Sequence, residues 1–279
     1  LAVIVWVLLN STFAYTQSFV TNGSASFVGG ACYQLTPDAS GLAGSIFSQN
    51  PIDLTQPFAE DATLFFGCKD ASGADGIVFI LATTNTALGG GGGGIGYQGI
   101  TPSIAIEYDD YFNGEFGDPA ADHMAVISMG SIDHSQPTNL TGPINLPNIE
   151  DCTEHCFAVV WDPISQTLTC SLDGELISYT GDIVNTIFAG TTQVYYGFSS
   201  GTGSLSNLHR VCFGPPQLMP MADLSICEGE SIDLQADDNG VDWTWVPNPT
   251  LSPLNVSDPT ATPTVTTDYM VTIEYACGY

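Results

Sequence analysis

Ile104-Ala-Ile-Glu107-Tyr-Asp109-Asp-Tyr111-Phe-Asn113-Gly-Glu-Phe-Gly-Asp118-Pro-Ala-Ala-Asp-His123 sets oxygen and nitrogen donors at the end of an alternating run. The alternation predicts a strand on which Glu107 and Asp109, two residues apart, project from the same face. Tyr111 and Asn113 carry that parity into the loop that follows. No Lys or Arg stands in this stretch, so the two carboxylates would repel each other unless a cation neutralised them. Asp109, the Tyr111 carbonyl, Asn113 and Asp118 are hard oxygen donors that suit Ca2+. Adding His123 and Glu107 gives a mixed nitrogen and oxygen set that suits Mn2+ or another transition ion, with shared carboxylates bridging the two.

Outward from this segment, short apolar or alternating runs follow one another, broken by Gly, Pro, Asn and Asp. Examples are Gly76-Ile-Val-Phe-Ile-Leu81, Met124-Ala-Val-Ile-Ser128, Cys156-Phe-Ala-Val-Val-Trp161, Thr167-Leu-Thr-Cys-Ser-Leu172 and Gln193-Val-Tyr-Tyr-Gly-Phe198. No window keeps a helical period. Many strands without βαβ alternation predict an all-β sandwich or jelly roll.

The order Glu-x-Asp-x-Tyr-x-Asn, then Asp-Pro five residues on, then His five after that Asp, resembles the metal-binding segment of L-type (legume-like) lectins. Other pieces resemble the same family in the same order, over residues 18–214. Gly73-Ala-Asp-Gly-Ile-Val-Phe79 resembles the motif in which an Ala-Asp bond is cis and the Asp accepts two sugar hydroxyls, a role the resemblance gives to Asp75. Gly89-Gly-Gly-Gly-Gly-Gly-Ile-Gly-Tyr-Gln-Gly99 resembles the loop whose backbone N–H donates to the sugar. Glycine permits the close approach there, and six in a row make Gly92, Gly93 and Gly94 all candidates. Tyr196-Gly-Phe-Ser-Ser-Gly-Thr-Gly-Ser-Leu205 resembles the strand and loop that tune monosaccharide choice, with Gly203, Ser204 and Leu205 as contacts. Trp161 to Gly174 matches a structural hairpin.

The resemblance implies a concanavalin-like jelly-roll β-sandwich that binds glycans with Ca2+ and Mn2+ and performs no catalysis. Asp75 would accept, Asn113 and a loop glycine would donate, and the Tyr111 ring would stack on the sugar. A phosphate-binding loop is the competing reading of the glycines, but no Lys-Ser/Thr ending or following helix supports it. A β-glucan hydrolase on a related jelly roll would carry Glu-x-Asp-x-x-Glu. Its third acid falls here on Phe112, and the next Glu is Glu115. A non-binding structural adhesin module is the other alternative, opposed by the presence of all six apparent ligands and Asp75.

The rest of the chain agrees with an extracellular setting. Of 279 residues, two are Lys or Arg and 30 are Asp or Glu, and the net charge of −28 disfavours nucleic acid and anionic membrane surfaces. Residues 1–17, with an apolar run from Leu1 to Leu9 and small residues to Ala14, read as a partial signal peptide too short to span a bilayer. The protein is then secreted or on the cell surface, without membrane insertion, and a homo-oligomer or a multidomain surface protein is possible. Eight cysteines fit disulfides in an oxidising compartment. Six of them (Cys32, Cys68, Cys152, Cys156, Cys170 and Cys212) allow fifteen full pairings. His134, His155 and His209 read as ordinary surface or loop histidines.

Gly214-Pro-Pro-Gln-Leu-Met-Pro220 cannot continue a sheet ladder, which places a linker at 215–222. Beyond it, Cys227 and Cys277 flank two alternating runs, and a bridge between them would staple a small domain at 223–279, with Trp243 and Trp245 in its core. Trp245-Val-Pro-Asn-Pro-Thr-Leu-Ser and Asp258 to Tyr269 resemble the immunoglobulin-like or PKD-like repeats of Bacteroidetes-type bacterial surface proteins. A second, small immunoglobulin-like β-sandwich, with a further strand expected after Tyr279, is the implied fold.

Overall fold

The computed structural model describes residues 2–6, 18–213, 224–227, 230–236, 242–269 and 271–274. Contacts divide the chain into two compact units, Gln17–Phe213 and Leu1–Thr16 together with Gly214–Tyr279.

The larger unit is two antiparallel sheets. One runs in the order Asn139–Asn145, His123–Ser128, Ser103–Asp109, Gly76–Ala82, Gln193–Gly201, Ala43–Ser48, Phe19–Gly23, with Ile52–Asp53 pairing the start of Gln193–Gly201. The other runs Glu175–Thr180, Thr167–Leu172, His155–Asp162, Phe58–Phe65, His209–Phe213, Cys32–Thr36, Ser26–Gly29. Every run quoted above as a strand lies in one of these. Among the described residues of the unit the one α-helix is Ile183–Thr186, where the Asp182 side chain accepts from the Asn185 N–H.

Strand parity decides what each sheet buries. Ile77, Phe79, Leu81, Ile104, Ile106, Tyr108, Met124 and Val126 point inward and meet Phe157, Val159, Trp161, Leu64 and Val211 of the opposite sheet. Each fully buried side chain of this size contributes about 1.5–3 kcal/mol. Residues of the opposite parity on the same strands (Val78, Ile80, Ala105, Ala125, Ile127) form a second apolar layer with Ile95, Tyr97 and Ile100. The glycine-rich segment therefore folds over the outer face of the sheet. Tyr97 anchors it, its hydroxyl 2.8 Å from Ser103 Oγ and accepting from the Gly130 N–H at 3.1 Å. Glu107, Asp109 and His123 share this outer parity, which places them beside the covering loops and outside the sandwich core.

Disulfides Cys32–Cys212 and Cys68–Cys152 select two of the open pairings, and Cys170 is a buried free thiol.

In the smaller unit Ala2–Trp6, read from sequence as part of a signal peptide, is a strand antiparallel to Leu224–Cys227 and parallel to Thr267–Asp268. Asp242–Trp245 pairs with Val271–Glu274. Trp245 is buried among Leu234, Leu251, Ala261, Tyr269 and Val271, and Trp243 packs partly buried beside them. The linker at 215–222 lies outside the described residues, as does Cys277 and with it the Cys227–Cys277 bridge.

Candidate metal and ligand site

Sheet register builds the donor cluster. His123 is opposite Asp109 and Ala125 opposite Glu107, so Glu107 and His123 are diagonal neighbours on one face. Their closest atoms, His123 Nε2 and Glu107 Oε1, are 3.4 Å apart. The loop after the strand is held by carboxylates: the Tyr111 N–H donates to Asp109 Oδ1 at 2.7 Å, and the Asn113 N–H to Asp118 Oδ2 at 2.6 Å. Donor atoms of Asp109, Asp118 and His123 lie within 4.8 Å of one another, as do those of Glu107, His123 and His134. All six residues read from sequence as metal ligands are thus in one region, around Asp109 and His123.

His134 lies on a turn, in keeping with its reading as a surface or loop histidine, but it is not at the surface. Its side chain is 3% exposed, and its Nε2 stands 2.9 Å from Glu107 Oε1 and 3.6 Å from Asp118 Oδ1. The same holds for the other two histidines: His155 is buried with Nδ1 2.6 Å from Asp173 Oδ2, and His209 is buried with Nδ1 2.7 Å from Thr36 Oγ1. Sequence offered little signal for His134, which lies on a separate turn 134 − 123 = 11 residues beyond the last apparent ligand. Parity along a strand cannot reach it.

The electrostatics of the cluster are those of a cation site. Burial pushes the Asp109 carboxyl well above its ordinary range, and the charges of Glu107 and Asp118 push it further. Burial also raises Asp118. Burial opposes ionisation of Glu107, but His123 and His134 outweigh it and hold its carboxyl below the usual value. Both Glu107 oxygens and Asn113 Oδ1 are buried without a well-aligned hydrogen bond. Lys69 and Arg210 pair with Asp38 and Glu154, so no Lys or Arg relieves these acids. Orphaned, convergent oxygens with an imidazole among them fit a hard cation next to a transition ion.

Beside this cluster, groups from three further loops come together. The Ala74–Asp75 peptide is cis, and Asp75 is 3% exposed with its Oδ2 unpartnered. Its backbone N–H donates to Gly201 O at 3.2 Å, and the Gly203 N–H hydrogen-bonds its carboxylate. A Cβ on Gly203 would stand 3.5 Å from Asp75 Oδ2 and 3.4 Å from Gly92 Cα, while one on Gly93 would stand 2.6 Å from Asn113 Oδ1. Asp75, Gly92, Gly93, Asn113 and Gly203 are therefore brought together. Gly94 turns away, its Cβ position 3.1 Å from Gln98 Cβ. Ser204 is exposed and Leu205 half-buried on the same loop, and the Tyr111 ring is 37% exposed.

Burial raises the Asp75 carboxyl to about 7, with the Asp110 charge adding to the effect. Asp110 belongs to a second acidic group that the sequence reading did not single out. Burial and Asp122 push it well up, and burial with Asp110 and Asp122 raises Glu150 to about 9. His209 Nε2 is 3.7 Å from Asp110 Oδ2, and burial disfavours the charge on both, lowering His209 to about 4.

Comparison with known proteins places this geometry. The family described as the legume lectin beta-barrel domain matches residues 11–214. The galactose-binding lectin of Arachis hypogaea is 29% identical over 145 residues, covering 49% of this chain and 50% of that protein. A probable L-type lectin-domain containing receptor kinase S.7 of Arabidopsis thaliana is 26% identical over 206 residues, covering 63% of this chain and 29% of the kinase. The chain spans half or less of the length of these curated relatives. Among solved structures, the lectin from Bauhinia forficata in complex with GalNAc superposes with a TM-score of 0.58 at 21% identity, over 76% of this chain and 94% of that one. At that identity the superposition speaks for the fold alone.

Proposed function

We propose, from the premise that the chain belongs to the L-type (legume) lectin domain family, that residues 18–214 bind a glycan at the Asp75 site. Ca2+ and Mn2+, or another transition ion in place of Mn2+, would hold that site in shape. The lectin domain is not an enzyme, and its chemistry is recognition. The observation that carries the proposal is the convergence of Asp75, Gly93, Asn113 and Gly203 directly beside a buried cluster of orphaned carboxylate oxygens.

Each group has a stated part. Asp75 accepts from two sugar hydroxyls through its carboxylate, Asn113 donates through its side-chain amide, and a backbone N–H at Gly92 or Gly93 donates from the loop. Gly203 hydrogen-bonds Asp75 and keeps the approach open. Tyr111 offers an exposed ring for the apolar face of a sugar. Bound cations would supply the positive charge that lets Asp109, Asp118 and Glu107 stay ionised when buried. Asp109 and Asp118 fix the loop that carries Asn113, and Asp109 and Gly76 are cross-strand partners, which ties Asp75 to the same frame.

A few such hydrogen bonds give about 0.5–3 kcal/mol each, so one site should bind in the micromolar to millimolar range. Useful avidity would come from repeated copies, either a homo-oligomer or a multidomain surface protein engaged in adhesion or glycan capture. Secretion or surface display is part of the proposal. It is supported by the two disulfides. So is the reading of 223–279 as an immunoglobulin-like or PKD-like module of bacterial type, supported by its paired strands around Trp245.

A glycan array read with Ca2+ and Mn2+, and again with EDTA, tests the reading. Binding to a subset of sugars that EDTA abolishes is the expected result. Absence of any cation-dependent binding would leave the domain a structural spacer.

A further inference from the structure

We propose that His134 is a direct ligand of the transition ion, which makes that position a two-imidazole site selective for Zn2+ over Mn2+. This rests on the two-cation reading above and concerns which residues hold the second ion and which metal they prefer.

Geometry carries the assignment. His123 Nε2 and His134 Nε2 are 3.1 Å apart, and both face Glu107 Oε1, at 3.4 and 2.9 Å. Ligand atoms at adjacent corners around one ion, each about 2.0–2.2 Å from it, are separated by about 3 Å. Two ring nitrogens and a carboxylate oxygen at these mutual distances are therefore spaced as ligands of a single ion. Without one, two imidazole nitrogens must share at most one proton between them, beside a carboxylate oxygen that receives no aligned bond.

The turn that presents His134 is built to hold it there. Its backbone N–H donates to Phe116 O at 2.8 Å, which docks the turn on the loop between Asn113 and Asp118. The Asp133 side chain accepts from the Ser135 N–H at 2.9 Å and closes the turn. Asn139 Nδ2 donates to His134 O at 3.2 Å and to Gly142 O at 3.1 Å. That fixes the amide and leaves Asn139 Oδ1 buried without a partner, as is His134 Nδ1. A proton on Nδ1 directed at that oxygen leaves the Nε2 lone pair free for a metal, the arrangement in which an outer acceptor sets the tautomer of a ligating histidine.

A second imidazole among the ligands changes the preference of the site. Nitrogen donors favour Zn2+, Ni2+, Co2+ and Cu2+ over Mn2+, whose natural company is oxygen. Asp109, Asp118 and Glu107 supply the oxygens in either case.

The test counts nitrogens. The protein is loaded with one equivalent of Cu2+ in the presence of Ca2+, and its electron paramagnetic resonance spectrum should show hyperfine coupling to two imidazoles. Coupling to a single imidazole in the unaltered protein overturns the proposal without recourse to any variant. His134→Asn should convert the pattern to one imidazole and weaken Zn2+ by about 10- to 100-fold in a competition titration against Mn2+. Mn2+ should weaken less. Terbium luminescence at the Ca2+ position reports whether the variant is folded, and His134→Gln provides a second replacement. Equal weakening of Zn2+ and Mn2+ in folded variants sinks the selectivity claim. Failure of the unaltered protein to take up any divalent ion would overturn both this inference and the cation-dependent lectin reading, whereas normal uptake with one nitrogen would overturn this inference alone.

Discussion

Asp109 and Asp110 are neighbours in sequence, both buried, and they solve the same problem in opposite ways. Asp109 lies with Glu107, Asp118, His123 and His134, where imidazoles hold Glu107 ionised and several oxygens have no protein donor. Asp110 lies with Asp122, Glu150 and His209, where Glu150 is raised to about 9 and His209 is lowered to about 4. The first group calls for cations. The second holds protons on Asp110 and Glu150 beyond the ordinary carboxylate range, and burial lowers its histidine. One step along the chain separates a site that needs an ion from one that needs none. Asp75 stands between the two groups, raised to about 7 by burial first and by the negative charge of Asp110 second.

The largest expected effect falls on the ionic side. Asp109→Ala removes an oxygen from both proposed cation positions and should abolish uptake of both ions by calorimetric titration. A ligand present at about 1,000 times its Kd stabilises the native state by about 4 kcal/mol. For a domain of this size that is about 10 °C in melting temperature. EDTA should lower the unaltered protein by the same amount and leave Asp109→Ala unmoved. A melting temperature indifferent to EDTA in the unaltered protein would erase the contrast between the two groups.

Next comes Asp75→Asn. Hydrogen bonds to a charged acceptor are worth about 1.5–3 kcal/mol, so glycan affinity should fall by about 10- to 100-fold. Cation uptake should be unchanged, because Asp75 is not among the convergent donors. Loss of sugar and cation binding together would mean that Asp75 supports the ionic group and does not touch the ligand.

Sequence made the ionic group legible and hid the other, for physical reasons. Glu107 and Asp109 share strand parity, and Asn113, Asp118 and His123 follow within one loop, so local spacing carries their convergence. Asp75, Gly93 and Gly203 come from three distant segments and were legible through resemblance alone. That resemblance could not choose among six glycines, and in the fold Gly93 packs on Asn113 whereas Gly94 packs on Gln98. His134 was misread because its approach to Glu107 depends on the docking of its turn on Phe116 O. His209 of one sheet and Glu150 of a loop each approach Asp110 at the end of a strand of the other sheet, an arrangement without sequence period. The sandwich itself was readable because Gly76–Ala82, Ser103–Asp109 and His123–Ser128 are short, largely apolar runs, buried on both faces, without a helical period.

A pH scan separates the two groups by their linkage. Asp75 moves from 3.8 to about 7 on folding and Glu150 from 4.5 to about 9. Between those limits the folded chain retains protons that the unfolded chain has released, so stability falls as pH rises. His134, whose pKa is raised by Glu107 and Asp118 against the effect of burial, adds stability at low pH that is lost on its deprotonation. Glu107 is lowered and acts in the opposite sense only at and below its ordinary carboxylate range. The metal-free protein should therefore melt a few degrees lower at about pH 8 than at about pH 5.5. Saturating Ca2+ should reduce that slope by favouring ionised Asp109 and Asp118, without removing it. A rising melting temperature across this window in EDTA would show that the acids are ionised in the apo fold.

The slope that persists with Ca2+ belongs to the proton-holding group, and Glu150→Gln measures it. Gln reproduces the shape and donor capacity of a protonated Glu, so at about pH 5.5 the substitution should change stability by less than about 0.5 kcal/mol. At about pH 8 the unaltered protein must either strip a proton from a buried carboxyl or hold it against solution, whereas the unfolded chain has already released its own. Gln carries no such penalty, and the variant should be the more stable of the two there, by an increment that grows with pH. The same exchange at Asp109, as Asp109→Asn, should be costly at both pH values when Ca2+ is present, because a neutral amide cannot replace a bridging carboxylate. If Glu150→Gln proves as damaging as Asp109→Asn, then Glu150 is ionised and the second group also depends on a cation, and the contrast between the neighbours Asp109 and Asp110 collapses into a single extended metal site.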